Sequence, residues 1–304
     1  MRKTNKIVLY TLLLMFILLY CSYYINSKYL YDGFDKMVKS KGFIIQLLGG
    51  LGNQLFIYAA ALAFKKKFNV DIFLLNDPST KKHSNYDYRE FMKGTIPIEN
   101  SDERVIHATK FGFSNSEDAY SFYNDEEIPV DKDVYLLFSP HYFQNFQKIK
   151  DVILDVKDTL YSYFYVKYGQ PIIEHNLTAF VHVRRGDYLT FKPSDHMLLF
   201  MDYYNKGLEI LNTNMAITTI YIFSDDIAWC REQVWNTSRR LIFFDDPDEL
   251  KTLYMMSQCW AGAVIANSTF SCWGAFLGAY EYTEMIVYPS KGFTSSLPDS
   301  WIKI

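Results

Sequence analysis

The stretch AFVHVRRGDYL, residues Ala179 to Leu189, sets the frame for the whole chain. An apolar, β-branched run ends abruptly in two arginines, a glycine and an aspartate. A short apolar run bounded by a turn signal reads as a strand buried on both faces. Such a strand needs helices above and below it, which is the setting of a parallel sheet. The residues on either side keep to that pattern. Strand TAFVHV (178–183) is followed by a helix over about 199–212, strand TIYIFS (219–224), a helix over 227–236 and strand LIFF (241–244). Then come helix DELKTLYMMSQCW (248–260), strand AVIAN (263–267), helix TFSCWGAFLGAY (269–280) and strand MIVYP (285–289).

Towards the N-terminus a second unit of the same kind appears. FIIQLL (43–48) reads as a buried strand, GGLGN (49–53) as a turn, QLFIYAAALAFKKK (54–67) as a helix with a basic last turn, and VDIFLL (70–75) as a strand. DVYLLF (133–138) is a further strand and 145–168 a long amphipathic helix. Residues 76–133 are more polar, and no element order follows from them. The expected architecture is α/β: two Rossmann-type α/β units, 42–170 and 171–304, facing a cleft, preceded by one transmembrane helix.

That helix is read from Ile7–Ile25, IVLYTLLLMFILLYCSYYI, which carries no charge. At 1.5 Å per residue it reaches about 28 Å, enough to cross a bilayer core. Its exit lacks the small residues of a cleavage site. The expectation is a cytosolic tail (1–6), an uncleaved anchor (7–25) with Tyr20, Tyr23 and Tyr24 at the far interface, a stem (26–41) and a luminal body. Sequons at Asn176, Asn236 and Asn267 fit a luminal body. Cys230, Cys259 and Cys272 lie beyond the anchor, and three thiols cannot all pair within one chain.

The 304 residues are 49% apolar, with a net charge of -3, 25 Tyr and 24 Phe. A core of ordinary size follows. A broad nucleic-acid surface does not, because that needs clustered basic side chains.

In open parallel sheets, ligands bind beyond the carboxyl ends of the strands, and polar residues gather there. Gly49, Gly50 and Gly52 allow either a tight β-to-α turn or close backbone approach to a ligand at a helix start. Arg184 and Arg185 offer guanidinium forks that suit phosphate, with Asp187 able to hold one of them; a structural ion pair is the plainer reading. His182 is a strand histidine, a core residue or a site residue. Ser224, Asp225 and Asp226 read as a helix cap or as partners for a ribose or base. Asp245, Asp246 and Asp248 read as a cap or as metal ligands for a diphosphate. Asn267, Ser268, Thr269 and Ser271 put more hydroxyls at a helix start than one cap needs, which suits phosphate oxygens. A nucleotide or nucleotide-sugar site between the two units is the reading that unites these clusters.

The segments GGLGNQLFIYAAALA, HVRRGDY, FSDD and LYMMSQC…VIANSTFSCWGAFL, in that order, resemble the motifs of the α-1,2-fucosyltransferases, glycosyltransferase family 11. The resemblance runs from about residue 43 to 290 and rests most on HVRRGDY (182–188) and NSTFS (267–271). It implies a GT-B-like fold, GDP-fucose as donor, inversion at fucose C1 without a required metal or other cofactor, and transfer to the 2-hydroxyl of a galactose-terminated glycan. It implies that Arg184, Arg185 and Asp187 form the catalytic set, the arginines neutralising the GDP leaving group. Gly50, Gly52 and Asn53 from the first unit, with His182, Asp225, Asn267, Ser268 and Thr269 from the second, would hold the donor. It also implies a single-pass type II Golgi membrane protein.

The chain departs from the family pattern at Cys272, where a tandem tryptophan is usual, and at Thr252, where an acidic residue is usual. HYFQNFQKI (141–149) matches the family's aromatic-Gln segment loosely. For the base that takes the acceptor proton, Asp187, His141 and Asp87 are candidates, as is the diphosphate itself. Two competing readings are an inactive relative that binds a glycan or nucleotide, and a metal-dependent transferase built on Asp246 and Asp248.

Overall fold

The computed structural model describes residues 42–77, 88–92, 94, 96–99, 108–111, 135–138, 141–190, 198–291 and 296–304. The expected tail (1–6), anchor (7–25) and stem (26–41) lie outside them. Among the described residues no helix is long and apolar enough to cross a membrane.

Two sheets carry the fold, and every strand pairing within them is parallel among the described residues. The first has β1 (Gly42–Gln46), β2 (Asp71–Leu75), β3 (Ile98–Glu99), β4 (Thr109–Phe111) and β5 (Tyr135–Phe138), in the order β3-β2-β1-β5-β4. The second has β6 (Thr178–Val183), β7 (Thr219–Ser224), β8 (Arg240–Phe244), β9 (Gly262–Val264), β10 (Ile286–Tyr288) and β11 (Ile302–Lys303). Its order, β11-β10-β9-β6-β7-β8, is that of dinucleotide-binding sheets. All six residues of β6 are buried, as a central strand with no polar face requires. The winding reverses between β1 and β5 in one sheet and between β6 and β9 in the other. A crevice opens beyond the carboxyl ends of each such pair.

One helix joins the two layers. α1 (Leu51–Phe68) buries 14 of its 18 residues. A helix apolar nearly all round belongs between layers rather than on a surface. On one side Phe64 stacks on Phe138 at 5.8 Å and meets Phe43 edge-on at 6.1 Å. On the other Phe56 meets Trp273 of the second unit at 5.3 Å. A single apolar core therefore runs through both units. α1 ends at Asn69, whose left-handed backbone (φ 51°) turns its N–H onto the Lys65 carbonyl, and Lys65, Lys66 and Lys67 face the negative helix end.

The helix expected over 145–168 is broken. It runs as α2 (Phe146–Ile149), a tighter turn at Lys150–Val152 and α3 (Ile153–Tyr168). The apolar positions Ile149, Val152, Ile153 and Val156 explain the break. Three residues per turn bring Ile149 and Val152 onto one face, and all four side chains are buried.

In the second unit α4 (Met201–Asn212), α5 (Ile227–Glu232), α6 (Glu249–Ser257) and α7 (Thr269–Leu277) flank the sheet. Asp248 caps α6 by accepting N–H bonds from Leu250 (2.9 Å) and Lys251 (3.2 Å), and it accepts the Tyr168 hydroxyl at 2.7 Å. Asp248→Ala is expected to cost about 1–2 kcal/mol in denaturant unfolding, with Asp248→Asn recovering most of it. An unchanged midpoint in the alanine variant would show that the cap adds nothing.

Candidate active site

A cleft of about 710 Å³ opens at the carboxyl ends of both sheets, within the size range of nucleotide and cofactor sites. The first unit lines it with Gly50, Leu51, Gly52, Asn53 and Gln144. The second lines it from four strand ends: His182 within β6 and Arg184, Asp187 and Tyr188 after it, then Ser224 at the end of β7 and Asp225 and Ile227 after it. Asp245, Asp246, Pro247, Glu249 and Thr252 follow β8, and Asn267, Ser268, Thr269 and Phe270 follow β9.

Four helices begin at this cleft, α5 and α6 with Asp226 and Asp248 as side-chain caps, α1 and α7 without one. α1 starts at Gly50 and α7 at Ser268, and neither start has a side-chain cap or an acidic residue in its first turn. Their leading N–H groups and positive dipole ends make an anion site. Asn53 ties the two starts together. Its Oδ1 accepts from the Thr269 hydroxyl at 2.9 Å and from the Gln144 amide at 2.8 Å. Gly52 lines the cleft, but packing is what demands glycine there. A Cβ at this position would stand 2.3 Å from the Phe270 nitrogen and 2.5 Å from the Thr269 carbonyl carbon.

The two arginines part company. Arg184 lines the cleft. Its Nη2 donates to Asp187 Oδ1 at 2.7 Å and its Nη1 lies 2.8 Å from Asp225 Oδ2. Arg185 turns away. Its Nε donates to Asp226 Oδ2 at 3.0 Å and its guanidinium lies 3.8 Å from the centre of the Trp229 ring. Of the two arginines expected at the leaving group, the structure thus brings Arg184 to the cleft lining and turns Arg185 to Asp226 and Trp229, as consecutive side chains leaving a strand point to opposite sides. Asp225, expected at the nucleotide, is among the cleft-lining residues. Its Oδ1 accepts the Arg185 backbone N–H at 2.8 Å and its Oδ2 faces Arg184. Gly186 permits this, since a Cβ there would lie 2.4 Å from Asp225 Oδ2. The α5 cap is Asp226, which accepts from the Trp229 N–H.

His182 is buried in β6 with its ring 5.5 Å from that of Phe270. Its Nδ1 has no partner among the described residues. Burial, with Arg184 beside it, drives its pKa down to about 3 and keeps the imidazole neutral. Between pH 6.5 and 3 the unfolded chain thus holds a proton that the folded chain refuses, and stability falls as pH falls through that window. His182→Gln is expected to remove about 1–2 kcal/mol of the stability lost between pH 7 and pH 5, read from denaturant midpoints. An identical pH slope in the variant would assign the loss elsewhere.

Of the proton-acceptor candidates, Asp187 lines the cleft, paired with Arg184. His141 does not. Its Nδ1 accepts the Phe143 N–H at 2.9 Å, and burial lowers its pKa. Asp87 lies outside the described residues. The acidic trio after β8 is engaged. Asp246 pairs with Lys251 at 2.6 Å, Asp248 caps α6, and Asp245 lies 3.4 Å from Arg231. Among the described residues no three His, Cys, Asp or Glu side chains converge as metal ligands.

Cys230, Cys259 and Cys272 are all buried and free. Burial raises all three thiols, that of Cys230 to about 11. Of the three sequon asparagines, Asn267 is buried in the cleft wall, and Asn176 and Asn236 are exposed.

Sequence reasoning did not single out Gln144, Tyr188 or Glu249 as site residues. Tyr188 was legible as the next residue of the arginine turn, and its hydroxyl donates to the Asn267 carbonyl at 3.1 Å, bracing two cleft walls.

The model of glycosyl transferase family 11 matches residues 16–296. The O-antigen biosynthesis glycosyltransferase WbnK of Escherichia coli is 29% identical over 304 residues, spanning 85% of this chain and 99% of that protein. An alpha-1,2-colitosyltransferase of Escherichia coli is 24% identical over 54% of this chain and 59% of its own length. The galactoside 2-alpha-L-fucosyltransferase SEC1 of Bos taurus is 29% identical over 37% of this chain, a match that spans about a third (32%) of that protein. Among solved structures, fucosyltransferase NodZ from Bradyrhizobium aligns at 12% identity over 79% of this chain and 94% of its own, with a TM-score of 0.45. With a family match that runs from residue 16 to 296, the chain belongs to glycosyl transferase family 11.

Proposed function

We propose that this chain is a galactoside 2-α-L-fucosyltransferase. It would transfer fucose with inversion from GDP-fucose to the 2-hydroxyl of a β-galactose-type acceptor on a glycan. The observation that carries this reading is the convergence of two uncapped helix starts and the Arg184 guanidinium on one cleft. A diphosphate leaving group gathers negative charge as the sugar departs, and donors fixed in advance around it lower the barrier without reorganising. No metal is required for that neutralisation. Asp187, a cleft-lining carboxylate, would take the acceptor proton should the diphosphate not do so. Two parallel-sheet units about a shared cleft support a GT-B-like arrangement. The names borne by the relatives support transfer of fucose or a related sugar to a galactoside.

The same proposal tethers the chain by residues 7–25, with its body in the Golgi lumen. Resistance of the full chain to alkaline extraction from membranes tests the tether. The activity test is release of GDP from GDP-fucose by the full chain with a panel of β-galactosides, with and without chelator. Acceptor-dependent, chelator-resistant turnover giving an α-linked product is expected. Tight GDP binding without turnover on any acceptor points to an inactive relative, and absence of GDP binding removes the donor site.

A further inference from the structure

The loop after β5 is bent in a way that its residue types do not favour. Phe143 has φ 52°, the left-handed region that a bulky side chain rarely enters. Strain of this kind persists only where the surroundings enforce it, and it clusters at functional sites. Here the Phe143 N–H donates to His141 Nδ1 at 2.9 Å. Its ring is buried edge-on against Phe64 (5.7 Å), Phe138 (6.2 Å) and His141 (4.8 Å). With Phe143 driven into the core, its two neighbours are turned to other tasks. Gln144 reaches the cleft wall and donates to Asn53. Tyr142 is left 40% exposed.

The place where Tyr142 stands is informative. Its ring edge lies against the glycine turn: a Cβ on Gly49 would meet Tyr142 Cε1 at 2.9 Å. Gly49 itself needs a positive φ (75°), and the next residue, Gly50, lines the cleft. An exposed aromatic ring thus stands beside the glycine turn, on the first-unit side, between two segments whose Gly50 and Gln144 line the cleft.

We infer that Tyr142 is the platform for the acceptor sugar, taking the apolar C–H face of a β-galactoside against its ring. This rests on the fucosyltransferase reading for its choice of sugar. Galactose suits a flat aromatic wall because its axial hydroxyl leaves several C–H bonds together on the opposite face. The ring then sets the acceptor over the cleft while the hydroxyls meet the polar wall. It acts on acceptor binding and on the choice between galactosides and glucosides, not on the donor.

The test compares the full chain with Tyr142→Ala and Tyr142→Phe. One arm measures acceptor KM for β-galactosides, donor KM and acceptor-independent release of GDP from GDP-fucose. The other measures saturation transfer by NMR from protein to methyl β-galactoside. The alanine variant is expected to raise acceptor KM about tenfold, the loss of one good aromatic contact, and to weaken the NMR contact to match. Phenylalanine is expected to behave as wild type, with donor KM and GDP release unchanged in both variants. An alanine variant with wild-type acceptor KM and NMR contact overturns the inference. So does an equal rise in donor KM, which would mean a collapsed glycine turn, or a phenylalanine variant as weak as alanine. Should wild type transfer to no galactoside yet show NMR contact that alanine abolishes, the platform stands and the transfer reading falls. Absence of any NMR contact in wild type overturns the platform, whatever the turnover.

Discussion

Arg184→Ala is expected to lower kcat/KM for GDP-fucose by about two to three orders of magnitude, the size seen when one preorganised donor is taken from a developing negative charge. The geometry makes this the most damaging single change in the cleft. Arg184 is the guanidinium among the lining residues, and two carboxylates hold its fork in place at 2.7 and 2.8 Å. Without it Asp187 and Asp225 would face the incoming diphosphate uncompensated, which puts the loss at the upper end. Lysine is not expected to restore activity, because a compact ammonium cannot span Asp187 and Asp225 as the guanidinium fork does while keeping donors for the cleft. Arg185→Ala should behave differently. It removes a guanidinium stacked on Trp229 and paired with Asp226, so thermal stability falls first and turnover follows modestly. Steady-state kinetics with GDP titration calorimetry separates the two. An Arg184→Ala enzyme within threefold of wild type, or an Arg185→Ala enzyme that is the worse of the pair, would reassign the roles.

Gly52→Ala is expected to be the most disruptive small change to stability. The added methyl would collide with backbone atoms of Phe270 and Thr269, at 2.3 and 2.5 Å respectively, which cannot rotate aside. Overpacking a tight core typically costs about 1–3 kcal/mol and occasionally more, and rigid neighbours place this case at about 3 kcal/mol. For a chain of this size that corresponds to a Tm lowered by roughly 6–12 °C. Activity should fall as well, because spreading α1 from α7 pulls Asn53 from the Thr269 hydroxyl. Scanning calorimetry decides it: a Tm within a degree of wild type would mean that the helix starts can part freely.

Much of this architecture was written in the local pattern. β6 and β7 span the residues that their apolar runs mark out, because a buried parallel strand has no polar face to blur its ends. The clustering of polar residues at strand ends followed from topology alone. Side-chain direction did not. Arg184 and Arg185 are indistinguishable in sequence, yet one faces the cleft and the other an indole, since the choice depends on where Asp225 and Trp229 arrive from the next β-α unit. Gly52 was legible as a glycine that matters, but whether for a ligand or for a helix 217 positions away (269 minus 52) depends on tertiary contact. The exposed ring of Tyr142 gave no signal, because its exposure is forced by the backbone of its neighbour Phe143. Asp246 and Asp248 could be read as a helix cap or as cation ligands; Asp248 is the α6 cap and Asp246 pairs with Lys251, which spacing alone could not decide.

The wedging of α1 between the two sheets bears on how members of this family could be recombined. A chimaera cut near residue 170 would join two surfaces that never evolved together: the aromatic ridge of Phe56 on one parent and the Trp273–Phe276 groove on the other. Donor and acceptor preferences therefore cannot be shuffled as cassettes at that seam. Viable hybrids should arise only when α1 and α7 travel from the same parent, so that the inheritable unit straddles the cleft instead of lying on one side of it.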